Sequence, residues 1–184
     1  MNYNKSIKDH ITLAEKLIKQ EKDFQQILKI FIQTIKNEGT IYWIGNGGSA
    51  ADCEHFATEL MVKFKKVRKP IKSISLTTNT SLLTAHSNDF NYKSIFSRQL
   101  EALATKNDLV VIFSTSGNSQ NILDALKFTH KRKINTCGFL GNNGGKSKKY
   151  LKNKIIIKSK NTARIQELHT LVGHLICEEI DRMF

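Results

Sequence analysis

Short apolar runs alternate with helical patterns from residue 40 onward, and this alternation restricts the fold more than any other feature of the chain. There are five such runs: TIYWIG (40–45), SISLT (73–77), DLVVIFS (108–114), INTCGFL (134–140) and KIIIK (154–158). Most of them are continuously apolar, which is typical of strands in a parallel sheet whose two faces are both covered by helices. We therefore predict an α/β fold with a parallel sheet of about five strands flanked by helices.

Helical spacing of apolar residues predicts the elements between these strands. The predicted helices cover residues 48–66, 92–104, 119–131 and 162–184. Parallel sheets of this kind bind their ligands in a crevice at the carboxyl ends of the strands. Polar residues that follow a strand are therefore the first candidates for a functional site.

An amphipathic helical segment precedes the first strand. Its apolar residues recur close to helical spacing through residues 4–37, with Lys, Glu and Gln between them. The pattern predicts one long helix or two, and its apolar stripe needs a surface on which to pack. We expect this segment (1–37) to pack against another subunit, so that the protein forms a homo-oligomer. Together with the α/β core (38–184) it makes a single domain, as the length of 184 residues suggests.

The chain is strongly basic. Twenty-nine Lys and Arg residues against sixteen Asp and Glu residues give a formal net charge of +13. Such a charge attracts anions of any kind, including sugar phosphates, nucleotides and nucleic acid. The lysines are scattered, however, and no stripe of basic and aromatic residues and no recognition helix supports nucleic acid as a partner. Direct nucleic-acid binding is therefore an alternative that rests on charge alone.

The cysteines and the lengths of the apolar runs bear on the location of the protein. Cys53, Cys137 and Cys177 are widely spaced without a CxxC pair, which indicates buried thiols in a reducing compartment. The N-terminus lacks the apolar region of a signal peptide, and no run approaches the ~18 residues of a membrane span. We expect a soluble, cytoplasmic protein that has no membrane partner.

Two loops that follow predicted strands have the composition of anion-binding sites. At the first, residues 45–49 form a glycine-rich turn, whose free amides lie at the start of a helix and favour negative charge. At the second, residues 114–119 bring four hydroxyl groups to the start of the next helix. Hydroxyls and amides together suit a phosphate monoester. Ordinary turns and caps also use such residues, but the position of both loops after parallel strands favours a phosphorylated ligand.

Two predicted helices carry candidate acid/base or metal-binding side chains. His55 and Glu59 are four residues apart and share one helix face, which suits a metal site, an acid/base pair or a solvated surface contact. The terminal helix carries Gln166, His169 and His174. His174 has apolar neighbours, so it is either a core histidine bonded to a carbonyl or a functional one.

Polar residues also follow the second predicted strand. Residues 77–81 read TTNTS, and Asn88 and Asp89 come shortly after them. Small polar side chains of this kind either hold sugar hydroxyls or form turns. The sequence leaves both alternatives open.

Several linked motifs together resemble bacterial phosphoheptose isomerases of the sugar isomerase (SIS) family. They are GNGGSAAD, HFATEL, SLLTA, ND, SIFSRQLEAL, STSGNSQN, NGGK and TARIQELHTLVGH, in this order between residues 40 and 180. The resemblance implies an aldose–ketose isomerase that converts sedoheptulose 7-phosphate to D-glycero-D-manno-heptose 7-phosphate. The product would supply heptose for lipopolysaccharide, capsule or other surface glycans. The resemblance also implies a SIS fold, one zinc ion per subunit, and a homotetramer assembled through the N-terminal helices.

The resemblance implies roles for individual residues as well. Glu59 and His174 would be the catalytic acid/base pair. The implied zinc ligands are His55, Glu59, Gln166 and His174. The implied substrate contacts are Asn46, Gly47, Gly48, Glu59, Asn88, Asp89, Ser114, Thr115, Ser116, Ser119 and Gln166. With the phosphate held by residues 114–119, the glycine turn would bind the sugar end beside the chemistry.

One distance strains this assignment. Gln166 and His174 lie eight residues apart in the sequence, which is roughly 12 Å along a straight helix. Both side chains would have to reach toward a point between them. If the helix keeps them apart, His169 is the substitute for Gln166.

Three substitutions and one alternative function bear on the substrate. Lys63 stands where many relatives have Arg, His86 where an apolar residue is common, and Ala163 where some members have Asp. These differences concern the exact sugar more than the reaction class. The alternative is a non-catalytic protein of the same fold, similar to the tetrameric proteins that associate with the bacterial replication initiator. Such proteins need no complete His/Glu/Gln/His set, and this chain has one.

Overall fold

A computed structural model describes residues 2–184, in which a five-stranded sheet has all neighbouring strands parallel. The strands are β1 (Ile41–Ile44), β2 (Ser73–Ser75), β3 (Leu109–Ser114), β4 (Asn135–Gly141) and β5 (Asn153–Ile157). Their order across the sheet is β2-β1-β3-β4-β5. The predicted α/β fold is therefore confirmed, and each strand boundary lies within two residues of its predicted position.

Seven α-helices accompany the sheet in residues 2–184. They are α1 (Tyr3–Leu17), α2 (Glu21–Lys36), α3 (Gly48–Met61), α4 (Thr80–Asp89), α5 (Ile95–Leu103), α6 (Gln120–Arg132) and α7 (Thr162–Met183). A short 3₁₀ turn, Ile18–Gln20, separates the first two, so the N-terminal segment forms two helices rather than one. None of the helices in this described range is long and apolar enough to cross a bilayer.

The sheet carries a hydrophobic core on each face. On one face α2, α3 and α7 pack around the indole of Trp43. Phe31, Phe56 and Phe113 surround this indole at ring-centroid distances of 5.7, 5.8 and 5.9 Å. The indole N–H donates to Ser73 Oγ at 2.8 Å. On the other face α5 and α6 cover the opposite side chains of the sheet. Because both faces are covered, β1 and β3 are buried along their whole length, which explains their continuously apolar sequences.

Helix α3 ends at Met61, before the predicted boundary at residue 66. The Arg68 guanidinium turns back onto the end of this helix and donates to the carbonyls of Glu59 at 2.9 Å and Leu60 at 2.8 Å. The last carbonyls of a helix lack partners within it, and here an arginine from the following loop supplies them. The predicted end was therefore wrong, because the cap comes from a residue beyond the helical pattern.

Helix α4 was not predicted. The polar residues of 77–89 are also typical of loops, so the sequence did not indicate a helix there. Helix α4 buries none of its residues, so it has no apolar stripe that a pattern would reveal. Its local signal is Asn79, whose side chain accepts the Leu82 amide at 2.9 Å and caps the helix. The last two residues of α4, Asn88 and Asp89, are exposed.

The N-terminal helices are only partly covered. Helix α2 packs into the core, whereas α1 buries none of its residues. Ile7 and Ile11 of α1 remain exposed, and Ile18, Leu171 and Leu175 line an open groove of about 330 Å³ between the N-terminal helices and α7. Within residues 2–184 nothing covers this apolar surface. It is the surface on which the expected subunit contact would form.

The cysteines lie inside the fold. Cys53, Cys137 and Cys177 are buried and free, as the sequence predicts. Burial raises the pKa of each thiol, so all three stay protonated at neutral pH. These cysteines therefore fill space in the core and are poorly suited to react.

Candidate active site

Helices α3 and α7 bring two histidines into contact. The Nε2 atoms of His55 and His174 lie 2.9 Å apart, and Glu59 Oε1 lies 3.7 Å from His55 Nε2. The helices approach closely because position 173 is a glycine: a Cβ atom on Gly173 would overlap the ring of Phe56. The tertiary structure therefore brings together three of the four side chains for which the resemblance implies zinc binding.

The protonation of His174 follows from its surroundings. Burial and the nearby His55 lower the pKa of His174, although nearby carboxylates act in the opposite direction. Phe56 and Phe64 flank the imidazole at ring-centroid distances of 5.5 and 5.4 Å. A neutral imidazole has a single N–H, so one proton suffices for a hydrogen bond between the two Nε2 atoms. The pair is suited to proton transfer, or to metal binding when both nitrogens are unprotonated.

The donor set fits zinc in kind. Zinc binds histidine nitrogen and carboxylate oxygen at about 2.0–2.2 Å, which places two ligands of a tetrahedral site roughly 3.4 Å apart. The separations of 2.9 Å between the histidines and 3.7 Å from His55 to Glu59 lie on either side of that value. No three His, Cys, Asp or Glu side chains in residues 2–184 already enclose a metal position, so the zinc site stays a prediction.

Gln166 lies against the glycine turn. A Cβ atom on Gly48 would overlap Gln166 Nε2, so the side-chain amide packs directly on the start of α3. Both Gln166 and His174 belong to the uninterrupted helix α7, which keeps them roughly 12 Å apart along its axis. The structure therefore brings Gln166 to the turn, and no hydrogen bond in the described residues joins its side chain to the histidine pair.

Asp52 lies between these two parts of the site, and the sequence pattern did not indicate it. Its Oδ1 accepts from Thr170 Oγ1 at 2.8 Å, whereas Oδ2 is buried without a hydrogen-bond partner in the described residues. Burial raises the pKa of Asp52, although the Thr170 hydrogen bond, His55 and His174 each lower it in part. The available signal was its position three residues before His55, on the same helix face.

His169 is the core histidine of α7. Its buried ring lies 5.6 Å from that of Phe113 and 6.3 Å from that of Phe139. Neither ring nitrogen has a hydrogen-bond partner of normal geometry in residues 2–184. Burial lowers the pKa of His169 to about 4, although the Leu140 backbone acts in the opposite direction. Because it faces the core, His169 does not replace Gln166, and that alternative is wrong.

In the glycine turn after β1, the amides of Ser49 and Ala50 donate to the carbonyls of Asn46 and Gly47 at 3.1 and 2.9 Å. Gly47 has φ 57° and ψ −126°, a conformation that favours glycine, and no atom lies within 4 Å of the position of a Cβ there. No side chain caps the helix at this end. The turn is therefore open to a ligand on its outer side, next to Gln166.

A reciprocal amide pair joins the glycine turn to the start of α6, just beyond the loop after β3. Asn46 Nδ2 donates to Asn121 Oδ1 at 3.0 Å, and Asn121 Nδ2 donates to Asn46 Oδ1 at 2.8 Å. Asn121 lies in the first turn of α6 and is buried. The sequence did not single out Asn121, because an asparagine in the first turn of a helix has no distinctive pattern.

The start of α6 has open donors for an anion. Ser119 is its N-cap residue, yet its side chain makes no capping hydrogen bond, unlike those of Asn79 and Asn161 on α4 and α7. Ser116 is exposed and Thr115 is partly exposed on the same loop. Hydroxyl groups and helix amides without partners are what a phosphate group binds.

Close backbone packing shapes this loop. A Cβ atom on Gly117 would overlap the Gly144 carbonyl, and one on Gly145 would meet the Ser116 carbonyl in the same way. Ser114 is buried, and its Oγ accepts the Gly117 amide at 3.1 Å. Of the four predicted hydroxyl contacts, Ser114 is therefore the one that stabilises the bend of the loop from inside.

Asn88 and Asp89 lie at the exposed end of α4. Asn88 Nδ2 donates to Asp89 Oδ1 at 2.9 Å, and both side chains are exposed at the end of α4. His86, one turn earlier, bonds Ser94 Oγ through Nε2 at 2.8 Å. The His86 substitution therefore ties α4 to the following 3₁₀ turn, and no hydrogen bond in the described chain joins Asn88 or Asp89 to the histidine pair.

Known proteins with this fold are similar to the chain along nearly its whole length. A family model for the SIS domain matches residues 2–141. A phosphoheptose isomerase from Clostridium acetobutylicum is 42% identical over 179 residues, which cover 96% of this chain and 91% of that protein. One from Helicobacter pylori strain P12 is 42% identical over 181 residues, which cover 96% and 94%.

Solved structures agree with these sequence comparisons. The structure of a phosphoheptose isomerase from Neisseria gonorrhoeae matches with a TM-score of 0.91 and 36% identity, covering 97% of this chain and 96% of that one. The chain belongs to the SIS-domain family, within the group of the phosphoheptose isomerases.

Proposed function

We propose that this protein is an aldose–ketose isomerase that converts sedoheptulose 7-phosphate to D-glycero-D-manno-heptose 7-phosphate. The observation that carries the proposal is the 2.9 Å contact between His55 and His174, with Glu59 beside it. His55 and His174 lie on different helices, 119 positions apart in the chain. Relatives that are 42% identical and carry the name phosphoheptose isomerase support the same reaction.

The loop after β3 is the proposed phosphate site. Ser119 and Ser116 offer hydroxyl groups, and the first amides of α6 add backbone donors whose helix dipole favours negative charge. Thr115 is partly exposed and lies between the buried Ser114 and the exposed Ser116. The net charge of +13 adds a general attraction for a phosphorylated ligand.

The glycine turn is the proposed site for the hydroxyl groups of the sugar. It lies between the phosphate loop, to which the Asn46–Asn121 pair joins it, and the helix that carries His55. Gln166 packs on Gly48 at this turn, so its amide is available to a sugar oxygen. A phosphosugar anchored at α6 would therefore extend along the turn toward the histidine pair.

Proton transfer is the proposed role of Glu59 and His174. The reaction moves one proton between adjacent carbons through an enediol, while the carbonyl and hydroxyl oxygens exchange another. Glu59 would take the proton from one carbon and return it to the next. His174, whose pKa is lowered, is neutral near pH 7, so it can donate and accept at the oxygens without first losing a charge.

Zinc is the proposed cofactor. His55, Glu59 and His174 would hold the ion, and Gln166 completes the predicted set if its amide turns from Gly48 toward the pair. When bound, zinc would stabilise negative charge on the substrate oxygens. Glu59 cannot serve as a tight ligand and as a free base at once, so its carboxylate would have to be a weak ligand in order to carry the proton.

We further propose a cytoplasmic homotetramer whose product supplies heptose for lipopolysaccharide, capsule or other surface glycans. The apolar groove lined by Ile18, Leu171 and Leu175 supports a subunit contact through the N-terminal helices. Three buried free thiols support a reducing compartment. Sedimentation of the purified protein would measure the number of subunits.

The experiment that tests the function joins metal analysis to an assay for aldose formation from sedoheptulose 7-phosphate. Glu59→Gln and His174→Gln preserve size and hydrogen bonding but remove proton transfer, so each should lower kcat roughly 10²-fold or more. Glu101→Gln and His130→Gln are matched controls at exposed positions on α5 and α6. Both controls should keep the wild-type rate.

Wild-type protein that contains zinc but turns over no phosphorylated ketose would overturn the proposal. Binding of the phosphosugar without turnover would instead support the non-catalytic alternative within the same fold. Equal activity in Glu59→Gln and wild type would show that the proton is carried elsewhere.

A further inference from the structure

Tyr92 lies at the rim of the glycine turn and has no role in the site described so far. Its hydroxyl lies 3.0 Å from Asn46 Oδ1, while the residue is 56% exposed. Tyr92 belongs to a short 3₁₀ turn, Tyr92–Ser94, between α4 and α5. This 3₁₀ turn therefore contacts the glycine turn after β1, although Tyr92 and Asn46 are 46 positions apart in the chain.

The direction of the Tyr92 hydrogen bond follows from the buried end of the network. The Ile122 backbone N–H can only donate, and it donates to Asn121 Oδ1 at 2.9 Å. Asn121 Oδ1 therefore faces inward, where it also accepts from Asn46 Nδ2 at 3.0 Å. Asn121 Nδ2 in turn donates to Asn46 Oδ1 at 2.8 Å. A backbone amide thus sets the orientation of both side chains.

Asn46 consequently presents its carbonyl oxygen to Tyr92. A carbonyl oxygen can only accept, so the phenol must donate its single proton to Asn46. The lone pairs of the phenol oxygen remain available on the exposed side of the ring. Toward a ligand at the glycine turn, Tyr92 can therefore act only as a hydrogen-bond acceptor and not as a donor.

Asn46 has the complementary capacity. Its Oδ1 is occupied by Asn121 and Tyr92, and one of its two Nδ2 hydrogens is given to Asn121. The second Nδ2 hydrogen is left to donate. A donor on Asn46 next to an acceptor on Tyr92 matches a hydroxyl group, which accepts one hydrogen bond and donates another.

We propose that Tyr92 is a specificity residue that accepts a hydrogen bond from a hydroxyl group of a phosphorylated polyhydroxy substrate. The inference rests on the proposed function for the identity of that substrate. An ionised phosphate or carboxylate oxygen has no proton to give, so Tyr92 disfavours such an oxygen at the turn. It directs the polyol part of the substrate there and leaves the phosphate to the loop after β3.

The test compares wild type with Tyr92→Phe, which keeps the ring and removes the acceptor. D-Glucitol 6-phosphate and inorganic phosphate are the two calorimetric probes. The variant should bind the polyol phosphate roughly three- to tenfold more weakly, as expected for one lost hydrogen bond, and bind inorganic phosphate as wild type does. KM for sedoheptulose 7-phosphate should rise by a similar factor, with kcat changing less than twofold.

A matched control separates loss of this phenol from loss of any phenol. Tyr150→Phe removes a hydroxyl outside the site, beside His130, and should leave both probes unaffected. Thermal unfolding of Tyr92→Phe at the wild-type temperature would show that the fold is preserved.

Three results would overturn the inference: equal binding of the polyol phosphate by both proteins, equal weakening of both probes, or a wild-type protein that does not prefer the polyol phosphate to inorganic phosphate. Failure of the proposed function gives a different result. In that case wild type does not isomerise sedoheptulose 7-phosphate, while the two probes still report on Tyr92.

Discussion

Arg68 and Asp181 form an ion pair inside the fold, with 2.9 Å between Arg68 Nε and Asp181 Oδ1 and with side chains only 0% and 6% exposed. Asp181 Oδ2 also accepts the amides of Lys65 and Lys66 at 2.8 Å each. Arg68 in turn donates to the Glu59 carbonyl. The pair therefore fastens the end of the helix that carries Glu59 to α7 and holds the loop between them.

Arg68→Met is predicted to destabilise the protein strongly. The substitution leaves the Asp181 carboxylate buried without a counter-charge, which typically costs roughly 3–5 kcal/mol. Arg98→Met is the matched control, because Arg98 pairs with Glu101 on the surface, where an ion pair contributes little. Urea unfolding of the two variants measures the difference. Similar losses in both would show that the buried pair has no special role.

Gly173→Ala is predicted to separate the two histidines. The added methyl group would overlap the ring of Phe56, which is fully buried. Overpacking of this kind costs roughly 1–3 kcal/mol, and the displaced α7 should lower kcat/KM at least tenfold as His174 moves from His55. Kinetics and urea unfolding measure both effects.

A second substitution checks the cause of the Gly173→Ala effect. Phe56→Leu removes the ring atoms that the methyl group would meet, so the double variant should recover part of the activity lost in Gly173→Ala. Loss of activity that is simply additive in the double variant would contradict the steric explanation.

Ser119→Ala is predicted to weaken phosphate binding without destabilising the fold. Its hydroxyl makes no capping hydrogen bond, so its removal leaves no helix amide newly unpaired. Asn161→Ala is the contrasting variant, because Asn161 caps α7 through the Ala163 amide at 3.1 Å, and loss of such a cap costs about 1 kcal/mol. Calorimetry with inorganic phosphate measures the loss of binding expected in Ser119→Ala, and thermal unfolding measures the loss of stability expected in Asn161→Ala. If Ser119→Ala lost as much stability as Asn161→Ala, the Ser119 hydroxyl would have a capping role after all.

Acid should destabilise the protein through His169. Burial lowers the pKa of His169 from 6.5 to about 4, so between these values the unfolded chain binds a proton that the folded protein does not. The stability contributed by neutral His169 is therefore fully present above pH 6.5 and is lost as the pH falls toward 4, by up to about 3 kcal/mol. Urea unfolding at a series of pH values measures this slope.

His169→Leu should flatten the stability curve between pH 6.5 and 4, whereas His130→Leu at an exposed position should not. Part of the slope will remain in His169→Leu, because the pKa of His174 is also lowered. An unchanged slope in His169→Leu would show that His169 is already protonated in the folded protein.

Strands were predicted better than helix boundaries because the two depend on different information. Burial of β1 and β3 on both faces is expressed locally, as an unbroken apolar run in each strand. Helix α4 has no buried face, so its sequence shows no apolar pattern. Helix α3 ends at Met61, where its last carbonyls accept hydrogen bonds from Arg68, seven residues further along.

Local sequence was sufficient for the α/β fold, the glycine turn, the serine-rich loop and the presence of His55 and Glu59 on one helix face. It left His174 as either a core histidine or a functional one, and it offered His169 only as a substitute for Gln166. Only the packing of α7 on α3, which Gly173 permits, placed His169 in the core and His174 against His55.

The packing of α7 on α3 also added Asp52 to the site. A separate contact, between the 3₁₀ turn Tyr92–Ser94 and the glycine turn, brought Tyr92 to Asn46. These contacts join residues 118 and 46 positions apart, so no spacing rule along the chain could reveal them. A periodic pattern records which face of an element is buried, whereas the neighbours of a side chain depend on how whole elements pack against one another. That is why the chemistry of this site was readable from the sequence and its arrangement was not.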